Sequence, residues 1–163
     1  MGELGSRSDH PGDHTVSDIE TLPNFAIGLV NHAAVKWEGE QRFIASRPGG
    51  PEIHVDGRAQ TGPSPVDTLL IALGTCTAID VVEILAKRRT PVDSLHLEID
   101  GARADAVPRR LIGVLLRYYV TGPEIERVHA ERAIDLAVTK SCSVRDSIDP
   151  NLPVRWKLVL NGE

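Results

Sequence analysis

Two cysteines are the redox-capable side chains of this 163-residue chain: Cys76 within "LGTCTAID" and Cys142 within "KSCSVRD". A thiol in either place has two ordinary fates, to pack as a small hydrophobe or to react as a thiolate. Around Cys76 a run of bulky aliphatics is broken by Gly74, Thr75, Thr77 and Ala78, which leaves room near the sulfur. Cys142 has Lys140, Ser141 and Ser143 as neighbours, a polar setting where an inert core thiol is less expected. An unperturbed thiol, with a pKa of about 8.5, is mostly protonated at neutral pH, so a nucleophile needs help to ionise. Cys76 falls about three turns into its helix, too deep for the N-terminal dipole, whose effect fades within the first turn. A cation must do the work, and arginine, always charged, is the natural choice. The upstream candidates are Arg42, Arg47 and Arg58.

The elements that carry these thiols follow from the pattern. Ser64 is a good N-cap, Pro65 suits the first helical position, and Asp67 stands where a capping box places its acid. The helix they open runs to about Arg88, and its apolar residues, among them Leu69, Leu73, Ile79, Val82 and Leu85, cover more than one side. Such a helix must be covered from several directions, which points to a partner subunit. A second helix is expected from about Pro123 to Thr139, just before Cys142. The two helices commonly lie side by side in an α+β domain, which would bring the sulfurs within the roughly 5–7 Å between Cα atoms that a disulfide needs. Short strands are expected at 32–40, 41–46 and 51–56, alternating ones at 95–99 and 111–120, and a closing strand at 152–160. Strands, helix, strands, helix, strand is the order of an α+β fold. Residues 1–22 are rich in Gly, Ser, Asp and His and read as a disordered tail, leaving 23–163 as a single domain.

Composition bounds the function. A net charge of −5 disfavours nucleic acid or an anionic membrane as partner. Asp67, Asp80 and Glu83 within the long apolar helix make a membrane span a poor reading. The first twenty residues show no secretory pattern, so a cytoplasmic setting is expected, where two cysteines mean buried thiols or a redox pair. Neither cysteine has a histidine at metal-ligand spacing, and no metal or cofactor is expected. His10 and His14 of "DHPGDH" read as scattered tail residues.

"GPSPVDTLLIALGTCTAIDVVEIL" together with "KSCSV" resembles the OsmC/Ohr family of thiol-dependent hydroperoxide reductases. The shared pattern is a proline-led helix with a cysteine eleven residues on and a second cysteine 66 residues later, within a likeness spanning about 35–160. The resemblance implies β-sheets wrapped around two long central helices in an intertwined homodimer. It also implies that Cys76 attacks an organic or fatty-acid hydroperoxide to give a sulfenic acid, that Cys142 closes a disulfide upon it, and that an external dithiol resets the pair. Family members carry a glutamate directly after the helix-start proline, paired with an arginine. Here that position is Val66, and the acid follows one residue later as Asp67. One helical step turns a side chain by about 100°, so Asp67 stands either as a replacement acid or as the cap. Arg42 and Arg58 are the candidates for the arginine. The alternative function is a redox-responsive or small-ligand-binding dimer that keeps the cysteine pair without efficient turnover; a third reading leaves both thiols inert.

Overall fold

The structure, a computed structural model, describes residues 31–163. The boundary expected at residue 22 lies outside the described residues. Strands β1 (Ala34–Gly39), β2 (Arg42–Ser46) and β3 (Ile53–Asp56) form an antiparallel sheet in that order. Gly39 and Glu40 both take positive φ, 112° and 51°, which is how the chain reverses between β1 and β2. Helix α1 (Pro65–Lys87) follows. Strands β4 (Ser94–Arg103), β5 (Leu111–Thr121) and β6 (Val154–Leu160) make a second sheet in the order β4-β5-β6. Between β5 and β6 come α2 (Arg127–Leu136), a π-helical turn (Ala137–Ser141) and the short α3 (Ser143–Asp146). That helical crossover lets β6 run parallel to β5, while β4 and β5 are antiparallel.

The core lies between the second sheet and the helices. Val114, Leu116, Tyr118 and Val120 alternate along β5 and are all buried. Opposite them α1 buries Leu70, Leu73, Gly74, Thr77, Val81 and Leu85, a stripe with helical spacing. Gly74 is where helix and sheet come closest: a Cβ there would collide with Ile99 and Leu97 of β4. The other face of the sheet is polar and carries the ladder of Glu98, Asp100 and Arg117.

Helix α1 matches its expected bounds closely. The Asp67 N–H donates to Ser64 Oγ at 3.2 Å, and the Ser64 N–H donates to an Asp67 carboxylate oxygen at 2.9 Å, a complete capping box. Arg89, at φ 66°, takes the left-handed conformation just past the helix, and Pro91 prevents its continuation. By length and composition α1 is long and apolar enough to cross a membrane, and a third of its most apolar stretch is buried inside this fold. Its other apolar side stays exposed: Ile71, Ile79 and Val82 face outward.

The second helix differs from expectation. Residues 122–126 form a turn, in which the Ile125 N–H donates to Gly122 O at 3.2 Å, so the helix starts at Arg127 rather than Pro123. It then widens into a π turn before Cys142. In place of two long helices there is thus one long helix, α1, and a shorter, broken one in the crossover. Strand β4 runs on to Arg103, past the alternation expected at 95–99, and Gly101, Ala102 and Arg103 still pair with β5.

Candidate functional site

The π turn and α3 meet at Cys142, and this junction places the second thiol. Cys142 is extended, at φ −75° and ψ 109°, and serves as the N-cap of α3. The Arg145 N–H donates to its Sγ at 3.3 Å. The residue is 4% exposed. Burial first, and then the neighbouring Cys76 side chain, push its thiol up to about 11, against the pull of the Arg145 and Val144 N–H groups. Cys76 packs against the buried cluster that includes Cys142, and α1 packs against both the π turn and α3, so the two thiols, 66 residues apart in sequence, are neighbours in space. Both are free thiols, Cys76 partly buried and Cys142 buried.

A buried hydroxyl pair floors the site. Tyr118 Oη donates to Thr77 Oγ1 at 2.7 Å, and Thr77 Oγ1 donates to Gly74 O at 3.0 Å. Burial first, with smaller contributions from Cys142 and Asp80, pushes the Tyr118 phenol up to about 12, and the Thr77 hydrogen bond works against that rise. Asp80 lies one turn after Cys76 on the same flank of α1, and its Oδ2 is buried without a hydrogen-bond partner among the described residues. Gly74 and Thr77 thus have packing work of their own. The small residues around Cys76 serve the helix–sheet contact and the Tyr118 bond, rather than simply opening space at the sulfur.

Beside Cys142 opens a cavity of about 310 Å³, bordered by Val138, Arg145, Ile148, Pro150 and Val154. Ile148 also borders a second cavity of about 270 Å³, where Val66 and Leu69 of α1 meet Leu111 and Leu152, with Arg109 and Arg110 among its lining residues. Val66 therefore presents an apolar wall where the resembled pattern has an acid.

The charged candidates are placed elsewhere. Asp67 is held by its cap: the Ser64 hydroxyl and then the Ser64 N–H lower its carboxyl below the usual range. Arg42 and Arg58 both point to Glu40 at the β1–β2 turn, at 3.5 and 3.8 Å. Among the described residues neither forms an ion pair or hydrogen bond with α1 or α2. Arg58 owes its position to the loop after β3, where the buried Asp56 accepts from the N–H groups of Arg58, Gln60 and Thr61 and from the Thr61 hydroxyl. Those donors, Arg58 first, bring the Asp56 carboxyl down to about 2. Sequence reasoning searched for cations upstream of Cys76 and passed over Arg145, whose signal was its place three residues after Cys142, where an N-cap acceptor finds its donor. Tyr118 was legible as a core position, its hydroxyl contact was not. Among the described residues no three His, Cys, Asp or Glu side chains gather as a metal site.

Comparison with known proteins agrees with this architecture. The family model described as "OsmC-like protein" matches residues 57–157. Protein YhfA of Escherichia coli K12 is 36% identical over 113 residues, which span 69% of this chain and 84% of that protein. A hypothetical protein of Aquifex aeolicus superposes with a TM-score of 0.71 at 26% identity, over 82% of this chain and 99% of that one. The organic hydroperoxide resistance protein OhrB of Bacillus subtilis superposes with a TM-score of 0.56 at 12% identity, over 80% of this chain and 98% of that one, a likeness of fold. With more than half its length under the family model and a curated relative above 30% identity, this chain belongs to the OsmC-like family.

Proposed function

We propose that this protein is a thiol peroxidase that reduces organic hydroperoxides to alcohols. The observation that carries the reading is the nearness of Cys76 to Cys142, the latter bordering a cavity. The Cys76 thiolate attacks the distal oxygen of the hydroperoxide, the O–O bond breaks, and the departing alkoxide takes up a proton to leave as the alcohol. Cys76 is left as a sulfenic acid. Attack by Cys142 on that sulfur forms the disulfide and releases water, the thiol proton leaving with the hydroxyl. An external dithiol then reduces the bond by exchange. The reading has Cys76, the more exposed thiol, react first and Cys142, kept protonated by burial, react second. Aliphatic walls at Val66, Leu69, Ile148 and Leu152 suit an alkyl or acyl substrate. No cofactor takes part, and the setting is the reducing cytoplasm.

The same proposal includes a homodimer. Ile71, Ile79 and Val82 leave one side of α1 apolar and open, and Val35, Trp37 and Ile53 are more than half exposed on the first sheet. A second copy would cover both, and Arg42 or Arg58 would meet Cys76 only through that partner or through movement of the β1–β2 turn.

A second reading, a redox-responsive or small-ligand-binding dimer without efficient turnover, has one observation in its favour. Asp67 is committed to the cap and Arg42 and Arg58 to Glu40. Turnover separates the two. The peroxidase reading predicts alkyl-hydroperoxide-dependent consumption of a dithiol, reduced at least 100-fold in Cys76→Ser. Consumption equal in wild type and variant, or none in wild type, would favour the second.

A further inference from the structure

Arg145 ties the second thiol to the chain segment that follows it. Its backbone N–H donates to Cys142 Sγ at 3.3 Å. Its guanidinium turns the other way, where Nη1 donates to Asp149 O at 3.2 Å and Nη2 donates to Pro150 O at 3.2 Å and to Leu152 O at 3.1 Å. Those carbonyls belong to the connection between α3 and β6, and Leu152 at its end is buried in the core. Among the described residues the guanidinium has no carboxylate partner; the hydrogen bonds of its two terminal nitrogens go to backbone oxygens. A planar, multi-donor group is suited to such a three-point hold, which an ammonium cannot reproduce. The four residues of α3 make little helix by themselves, and Arg145 adds a tie between this turn, whose N-cap is Cys142, and the connection that follows.

We propose that Arg145 is the positioning residue of the second thiol: by clamping the α3–β6 connection it holds Cys142 Sγ aimed at Cys76 for disulfide closure. The inference rests on the reading of Cys142 as the thiol that closes the bond. It does not depend on hydroperoxide as the oxidant. In closure the Cys142 sulfur forms a bond to the Cys76 sulfur while the group already carried on Cys76 departs with the bonding pair, and the Cys142 proton goes to solvent or to that group. The Arg145 N–H contact must then be given up or stretched, so the clamp acts on the approach, not on the bond itself.

An aromatic disulfide such as 5,5′-dithiobis(2-nitrobenzoate) reads the two steps separately. Attack by Cys76 releases the first coloured thiolate and leaves a mixed disulfide; attack by Cys142 on Cys76 releases the second and leaves the Cys76–Cys142 bond. Wild type should show two phases, the second independent of reagent concentration. In Arg145→Ala and in Arg145→Lys the first phase should keep its rate within about twofold and the second should slow at least tenfold. The lysine variant retains the charge and the Cys142 cap, so it keeps the test open if the alanine variant fails to fold. A second phase at the wild-type rate in either folded variant would overturn the proposal, as would a wild-type protein with no second phase. Failure of the peroxidase reading would show elsewhere, as two normal phases in a protein that consumes no alkyl hydroperoxide.

Discussion

Burial and the neighbouring Cys76 hold the Cys142 thiol at about 11, against an ordinary 9.0. Its protonated form is favoured in the folded state, so its contribution to stability is complete below 9.0 and is lost as pH rises from there to about 11. Tyr118, pushed from 10.0 to about 12, acts in the same sense over a higher window. Denaturant titrations should therefore show stability falling above about pH 9, and less steeply in Cys142→Ala once its own smaller packing loss is subtracted. The same environment orders the thiols by reactivity. In the folded protein at neutral pH, iodoacetamide should modify Cys76 well before Cys142, as peptide mass mapping would report; equal labelling of both would contradict the burial described here. At this scale the sequence was informative about residue type and not about partners. The cysteines and the Ser64–Asp67 box announced themselves by spacing. The Tyr118–Thr77 bond joins residues 41 positions apart, and the pairing of Arg42 and Arg58 with Glu40 depends on how a turn and a loop come together. Neither has a local signature.

The element that positions the first thiol is α1, and its seating depends on Gly74. Any side chain there meets Ile99 and Leu97 of β4, so helix and sheet must separate or those side chains must leave their rotamers. Gly74→Ala should cost about 1–3 kcal/mol in spite of alanine's better helix propensity, visible as a lower Tm. It should also slow closure of the cysteine pair, because the displaced helix carries Cys76. An unchanged Tm would mean that the contact is looser than described. The helix itself was legible from Ser64, Pro65 and its long apolar run, as were strands β5 and β6 from their alternation. The break in the second helix was not. A π turn at Ala137–Ser141 leaves the apolar spacing nearly intact, so the pattern reads as one continuous helix from a start placed too early. Pro123 looked like a helix-opening residue and is a turn residue instead, since Gly122 ahead of it and Ile125 behind it close that turn.

Across the whole molecule, an apolar side of α1 and an exposed three-stranded sheet remain to be covered. The pattern of α1 alone pointed to this, because its apolar residues occupy more of the circumference than one sheet and one helix can bury. The proposed dimer predicts that Ile79→Glu, at a side chain 58% exposed in the single chain, leaves the fold intact by circular dichroism and halves the mass found by sedimentation equilibrium. A wild-type monomer would contradict it, as would a dimer indifferent to that charge. Family membership, the α+β order and the closeness of the two thiols describe one arrangement, in which chain segments far apart in sequence are folded so that Cys142, beside Cys76, borders a cavity of mixed polar and apolar lining. The direct measurement is the intact and peptide mass of the reduced protein before and after one equivalent of an alkyl hydroperoxide. The account predicts a loss of two hydrogens located to a Cys76–Cys142 linkage, absent in Cys142→Ser, where Cys76 instead carries one added oxygen. Oxidation that leaves Cys142 free in the wild-type protein, or no oxidation of Cys76, would contradict it.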